Sequence, residues 1–102
     1  MDLIGPMDDG KEFPAKVDDE LSIRLPENPT SGFSWQADVT DGIMIREDRF
    51  ESRSPLIGSG GDHLWTLRIE RPGRQQFTGI YRRPFESITG MEKRFTVGFI
   101  VQ

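Results

Sequence analysis

The chain has 102 residues, with 13 Lys and Arg against 17 Asp and Glu, a net charge of −4 and a sequence pI near 4.9. One domain with a single core fits that length, and so acidic a chain lacks the basic footprint, pI above about 9, of a general nucleic-acid binder. The absence of Cys excludes a disulfide scaffold, a thiolate zinc site and a cysteine nucleophile, and no apolar run approaches the roughly 18 residues of a membrane span.

The first ten residues, "MDLIGPMDDG", have neither the basic start nor the apolar stretch of a secretory signal. They read as an N-terminal tail, residues 1–10, ahead of one domain over 11–102. The compartment stays open: cytoplasmic, or periplasmic or secreted if a leader has been removed. Charge is divided along the chain. Residues 1–51 hold 5 Lys and Arg against 13 Asp and Glu, a balance of −8; residues 52–102 hold 8 against 4, a balance of +4.

From residue 11 onward the dominant period is two, the strand signature. "KEFPAKV" at 11–17 sets Phe13, Ala15 and Val17 on one face, and "ELSIRL" at 20–25 does the same with Leu21, Ile23 and Leu25. "FSWQADV" at 33–39 aligns Phe33, Trp35, Ala37 and Val39; "GIMIREDRF" at 42–50 aligns Ile43 and Ile45. "HLWTLRI" at 63–69 aligns Trp65, Leu67 and Ile69, "QFTGIYRR" at 76–83 carries Phe77 and Tyr81, and "RFTVGFIV" at 94–101 aligns Phe95, Val97, Phe99 and Val101. No longer stretch has a helical period. Strands are therefore expected over about 11–17, 20–26, 33–39, 43–50, 63–70, 76–82 and 93–101, with little helix. The predicted fold is all-β: an immunoglobulin-like β-sandwich of about seven to eight antiparallel strands.

In such a sandwich successive connections fall at alternate ends. Three of the links, "DD", "TDG" and "RPGR", are short and share one end. The other three share the opposite end and are long: "ENPTSG", "ESRSPLIGSGGD" and "RPFESITGME". Folding alone gives no reason to lengthen three loops at one end. Binding chemistry is commonly displayed on loops held by a rigid scaffold, so that end is the candidate site.

The loops do not read as an enzyme. His63 is the sole histidine and no strand–Ser–helix elbow accompanies it; a solvated or edge histidine is the better reading. One His with scattered carboxylates has no zinc spacing, and "VDDE" lacks the alternating oxygen ligands and central Gly of a calcium loop. No metal and no cofactor is expected. "GSGG" at 58–61 lacks the Lys-Ser/Thr and following helix of a phosphate loop; its glycines would instead let backbone lie flat against a partner.

Taken together, the three long loops resemble those of the chagasin family, inhibitors of papain-like cysteine peptidases. The family pattern is Asn-Pro-Thr-Thr-Gly, Gly-x-Gly-Gly and Arg-Pro-Trp on three successive long loops. This chain has Asn28-Pro29-Thr30-Ser31-Gly32, then Gly58-Ser59-Gly60-Gly61, then Arg83-Pro84-Phe85. Phe33-Ser34-Trp35 also matches the aromatic, small residue and Trp that tend to follow the first motif. Ser31 in place of the second Thr loses a methyl group. Phe85 in place of Trp keeps an aromatic face but gives up area and the indole N–H donor.

The resemblance implies a non-catalytic, reversible, tight-binding inhibitor of cathepsin L-like, papain-like peptidases. The first loop would enter the cleft with Thr30 against the catalytic Cys–His pair, while the other two straddle it. Arg83 would offer a forked donor to the rim and Phe85 an apolar anchor. A monomer is expected, with no nucleic-acid or membrane partner. The alternative is an adhesion or carbohydrate-binding β-sandwich domain using the same loop end. Such a domain would show more exposed aromatic and Asn or Asp side chains in its loops.

Overall fold

The computed structural model describes residues 2–53 and 60–102. In chain order the strands are β1 (Asp2–Ile4), β2 (Glu12–Ala15), β3 (Glu20–Glu27), β4 (Ser34–Val39), β5 (Ile43–Ser52), β6 (Gly61–Ile69), β7 (Gly73–Arg82) and β8 (Lys93–Val101). Two 3-10 turns, Pro6–Asp8 and Pro29–Ser31, are the only helical residues described. Four strands form each sheet, in the orders β1-β3-β6-β5 and β2-β8-β7-β4. The chain is therefore a two-sheet sandwich in which consecutive strands repeatedly change sheet, as in immunoglobulin-like domains.

Alternation accounts for the core. Leu21, Ile23 and Leu25 of β3, Trp65, Leu67 and Ile69 of β6, and Phe95, Val97, Phe99 and Val101 of β8 all point between the sheets and are buried. Phe77 from β7 meets the Trp65 ring edge to face at 5.2 Å, joining the two layers near their centre. Four aligned strands on the two inner faces thus supply most of a core about one side chain deep per sheet. The outer edge at β5 is strewn with charge, Arg46 through Arg49 and Glu51, and carries an irregularity between Ile45 and Glu47. Both features discourage pairing with another chain.

All seven expected strands are present, but the N-terminus departs from expectation. Residues 1–10 are not only a tail. β1 lies beside β3 and buries Ile4 in the core, and the Gly5 amide donates to Asp8 Oδ2 at 3.0 Å to set the turn that follows. "DLI" is too short to show a period, so nothing in the sequence announces it. Nor are the sheets wholly antiparallel: β1 runs parallel to β3, and β2 parallel to β8. The chain reverses and changes sheet between β1 and β2, so each pairs with a strand of the same direction and not with the other.

The registers place the connections at two ends. Glu27 pairs with Gly61, Ser52 with Gly61, Ser34 with Arg82 and Tyr81 with Lys93. The β3–β4, β5–β6 and β7–β8 connections therefore leave one end of the sandwich, the one expected from their length.

Candidate functional site

The β3–β4 connection is tied to itself. Asn28 caps the 3-10 turn: its Oδ1 accepts from the Thr30 amide at 3.2 Å and from the Thr30 hydroxyl at 2.6 Å. The Ser31 hydroxyl donates back to the Asn28 carbonyl at 2.6 Å, and the Gly32 amide to the Pro29 carbonyl at 3.0 Å. Pro29 opens the turn, where its missing N–H has no partner to lose. Gly32 closes it in the left-handed region at φ 83°, which a side chain would resist. Asn28, Pro29, Thr30 and Ser31 are all exposed. The Ser31 that stands in the family's Thr position still supplies the hydroxyl.

Below the tip the loop is anchored to the core. The Glu27 side chain turns inward and is buried; its Oε1 accepts from the Trp35 amide at 2.7 Å and faces His63 Nδ1 at 3.0 Å. The Trp35 indole donates to the Pro26 carbonyl at 2.9 Å, and the Asn28 amide to the Tyr81 hydroxyl at 3.2 Å. The feet of the loop are thus tied to buried Trp35 on β4 and to half-buried His63 on β6 and Tyr81 on β7. His63 is neither solvated nor at a free edge. Its ring stacks on Trp65 at 4.2 Å, its second nitrogen contacts Asp48, and only 12% of the side chain is exposed.

The β7–β8 connection leans on the same tip. Arg83 lays its guanidinium over the Phe33 ring at 4.7 Å, donates from Nε to the Ser31 carbonyl at 3.4 Å, and pairs with Glu86 at 3.1 Å. Phe33 in turn stacks on Tyr81 at 5.3 Å. Pro84 and Phe85 are exposed, and the Phe85 ring edge reaches the flank of Gly32, where a Cβ would lie 3.8 Å from it. Arg83 therefore spends donors inward, as a brace between two loops. The forked donor to a rim expected from the sequence is only partly free.

From the third connection, Gly58 and Ser59 lie outside the described residues, while Gly60 and Gly61 border the first loop. A Cβ on Gly60 would sit 3.4 Å from the Glu27 carbonyl oxygen and 3.8 Å from the Asn28 side chain. One on Gly61 would come within 2.1 Å of the Glu51 carbonyl, so the strand can pass there only as glycine. The Arg53 amide donates to the Gly60 carbonyl at 3.3 Å, and its guanidinium pairs with Asp62 at 2.8 Å. That Arg53 hydrogen bond, helped by Arg24, holds the Asp62 carboxyl below the usual carboxylate range. A groove of about 330 Å³ runs between this loop and the first, bordered by Asn28, Trp35, Gly60, Tyr81 and Lys93.

No group of three or more His, Cys, Asp or Glu among the described residues could hold a metal ion. What the end offers among the described residues is an uncharged, self-tied turn from Asn28 to Gly32, bordered by Gly60 on one side and braced by Arg83 on the other.

A family described as "Chagasin family peptidase inhibitor I42" matches residues 14–99. The chain belongs to the chagasin family. Chagasin of Trypanosoma cruzi is 27% identical over 95 residues, covering 86% of each chain. The cysteine protease inhibitor EhICP2 of Entamoeba histolytica superposes with a TM-score of 0.85 at 20% identity, over 98% of this chain and 94% of that one. PbICP-C, solved in complex with falcipain-2, superposes with a TM-score of 0.67 at 18% identity, over 92% and 91%. At those identities the two structures speak for the fold. The family is one of inhibitors and not of enzymes.

Within this chagasin-family chain, three residues that support the loop escape a motif reading: Glu27, His63 and Tyr81. Glu27 does leave a trace, since it falls in phase with Leu21, Ile23 and Leu25 and so puts a carboxylate on the inward face. Tyr81→Phe isolates one tie. Losing the acceptor of the Asn28 amide is expected to lower stability by about 1 kcal/mol and to weaken inhibition several-fold. Urea unfolding and an inhibition constant measured on the same preparation check both.

Proposed function

We propose that the protein inhibits cathepsin L-like, papain-like cysteine peptidases by seating the β3–β4 tip in the active-site cleft. Thr30 lies against the catalytic Cys–His pair, and residues Gly58 to Gly61 and Arg83 to Phe85 straddle the cleft on either side. Inhibition of papain-like cysteine peptidases is what membership of the family carries; the assignment of residues is the proposal. The observation that supports it is the doubly anchored, self-tied turn from Asn28 to Gly32 with Thr30 exposed at its apex. A loop already held in its bound shape loses little conformational entropy on docking.

The same geometry explains why the inhibitor is not a substrate. Backbone wound into a 3-10 turn does not offer an extended peptide with its carbonyl laid open to attack. Occlusion needs no bond to form or break. An interface of ordinary size, about 800 Å² on each partner, suffices.

Titration of papain and of a cathepsin L-like peptidase tests this reading. Activity is expected to fall linearly to zero at one equivalent, with the chain recovered at full mass after long incubation. Full activity of both enzymes at micromolar protein would contradict it and favour an adhesion or carbohydrate-binding role for the same end.

A further inference from the structure

The β7–β8 connection spans residues 83–92, and its motif fills only the first three. The rest is a second ordered lobe. The Glu92 carboxylate accepts from the Thr89 amide at 2.7 Å, the Thr89 hydroxyl at 3.0 Å and the Gly90 amide at 2.9 Å. The Met91 amide donates to the Thr89 hydroxyl at 3.1 Å. Four hydrogen bonds within four residues define a closed turn, and Gly90 at φ 88° permits its curvature.

Outward, this turn presents apolar side chains. Met91 is 88% exposed and Ile88 51%, and Phe85, at the start of the same loop, is 78% exposed. Single exposed apolar residues are ordinary. Here two of them sit in or beside a turn that is held by the polar groups of Thr89, Gly90, Met91 and Glu92, not by apolar packing. Met91 also borders a groove of about 230 Å³ shared with Phe33 and Arg83, the pair that braces the β3–β4 tip. The lobe is therefore continuous with the face that the wedge reading places against the peptidase.

We propose that Ile88 and Met91 form a further contact on the bound peptidase, outside the three motifs, with an apolar surface beside the cleft. They set which papain-like peptidase is held longest. This rests on the wedge reading above. Methionine, unbranched and polarizable, adapts to differently shaped apolar surfaces, whereas the cleft itself offers every such enzyme the same catalytic pair.

Hydrogen bonds within the turn favour the ionised Glu92 carboxylate. The Thr89 amide foremost, then the amide of Glu92 itself, with Thr89 Oγ1 and the Gly90 amide adding less, holds the Glu92 carboxyl down to about 2 from an ordinary 4.5. A depressed value in the folded chain means that the support is complete above about pH 4.5 and disappears only as pH falls towards about 2.

The test compares dissociation rates and inhibition constants of the intact chain and the double variant Ile88→Ser, Met91→Ser, against papain and a cathepsin L-like peptidase. Weakening by about tenfold to a hundredfold is expected, mainly through faster dissociation and unequally for the two enzymes. Glu92→Gln, which keeps both apolar side chains but loosens their turn, is expected to weaken inhibition several-fold in the same unequal way. Because Ile88 and Met91 are exposed, thermal unfolding should not move. Constants within twofold of the unaltered chain for both enzymes would overturn the contact while leaving the wedge reading in place. An equal loss against both would overturn its role in selectivity. Failure of the unaltered chain to inhibit either enzyme would overturn the wedge reading and this inference with it.

Discussion

Thr30→Arg is expected to weaken inhibition of papain by about a thousandfold or more, roughly 4 kcal/mol, the range of a central hot spot. The fold should be unaffected. Thr30 is exposed at the apex of its turn, and its amide can still donate to Asn28 Oδ1. What changes is shape and charge at the point that the proposed docking inserts deepest. A guanidinium on a long stem cannot follow the tip into a cleft fitted to a hydroxyl and a methyl, and it brings a cation to be desolvated. Thr30→Ala separates the two effects. It removes the 2.6 Å tie from the Thr30 hydroxyl to Asn28 without adding bulk, so its loss should be about tenfold. Retained nanomolar inhibition by Thr30→Arg, with an unchanged melting temperature, would place the cleft contact elsewhere on the chain.

The second large effect is expected at Glu27. Glu27→Ala leaves the Trp35 amide, buried with its residue, without its acceptor and removes one of the two carboxylates facing His63. A buried donor left unsatisfied costs about 1–3 kcal/mol, and the cavity adds to that. A total loss of about 3 kcal/mol would lower the melting temperature of a chain this size by more than about 10 °C. Inhibition should weaken as well, because Glu27 fixes the foot from which Asn28 springs. Glu27→Gln is the discriminating partner. Its amide oxygen can still accept from the Trp35 amide, so it should lose far less stability. Equal and small losses for the two variants would show that the carboxylate is not what secures the loop.

These two positions also mark what the sequence reveals and what it hides. The inward strand positions were legible because each of β3, β6 and β8 alternates for at least three apolar residues. β1 was not, because three residues cannot display a period and its place is fixed by contact with β3. The tip was legible because Pro29 and Gly32 are local devices: one presets a torsion, the other permits a positive one.

Bracing across the loops was hidden for the opposite reason. Arg83 reaches Ser31, and His63 lies between Glu27 and Asp48, at sequence separations of 52, 36 and 15. No local pattern encodes such meetings; they follow from the strand registers. Arg83, read alone, looks like a donor awaiting a partner. In the fold it stiffens the tip, so Arg83→Lys, which keeps the charge but loses the planar stacking on Phe33, would act on the wedge through its support.

The departure at Phe85 can be placed in the same frame. One edge of its ring lies where a Cβ on Gly32 would meet it, and most of the side chain is open to solvent. The aromatic face that the family's Trp would present is therefore still offered, with less area and no indole donor.

A turn seated in the peptidase cleft should shield the catalytic cysteine from reagents in solution. Papain is treated with a small thiol-alkylating reagent, with and without one equivalent of the protein, and modification of its catalytic cysteine is followed by mass. Occlusion predicts that the protein blocks alkylation, and that Thr30→Arg at the same concentration does not. Alkylation at an undiminished rate in a complex shown to be fully formed would mean that the protein binds away from the cysteine, and the wedge would be wrong.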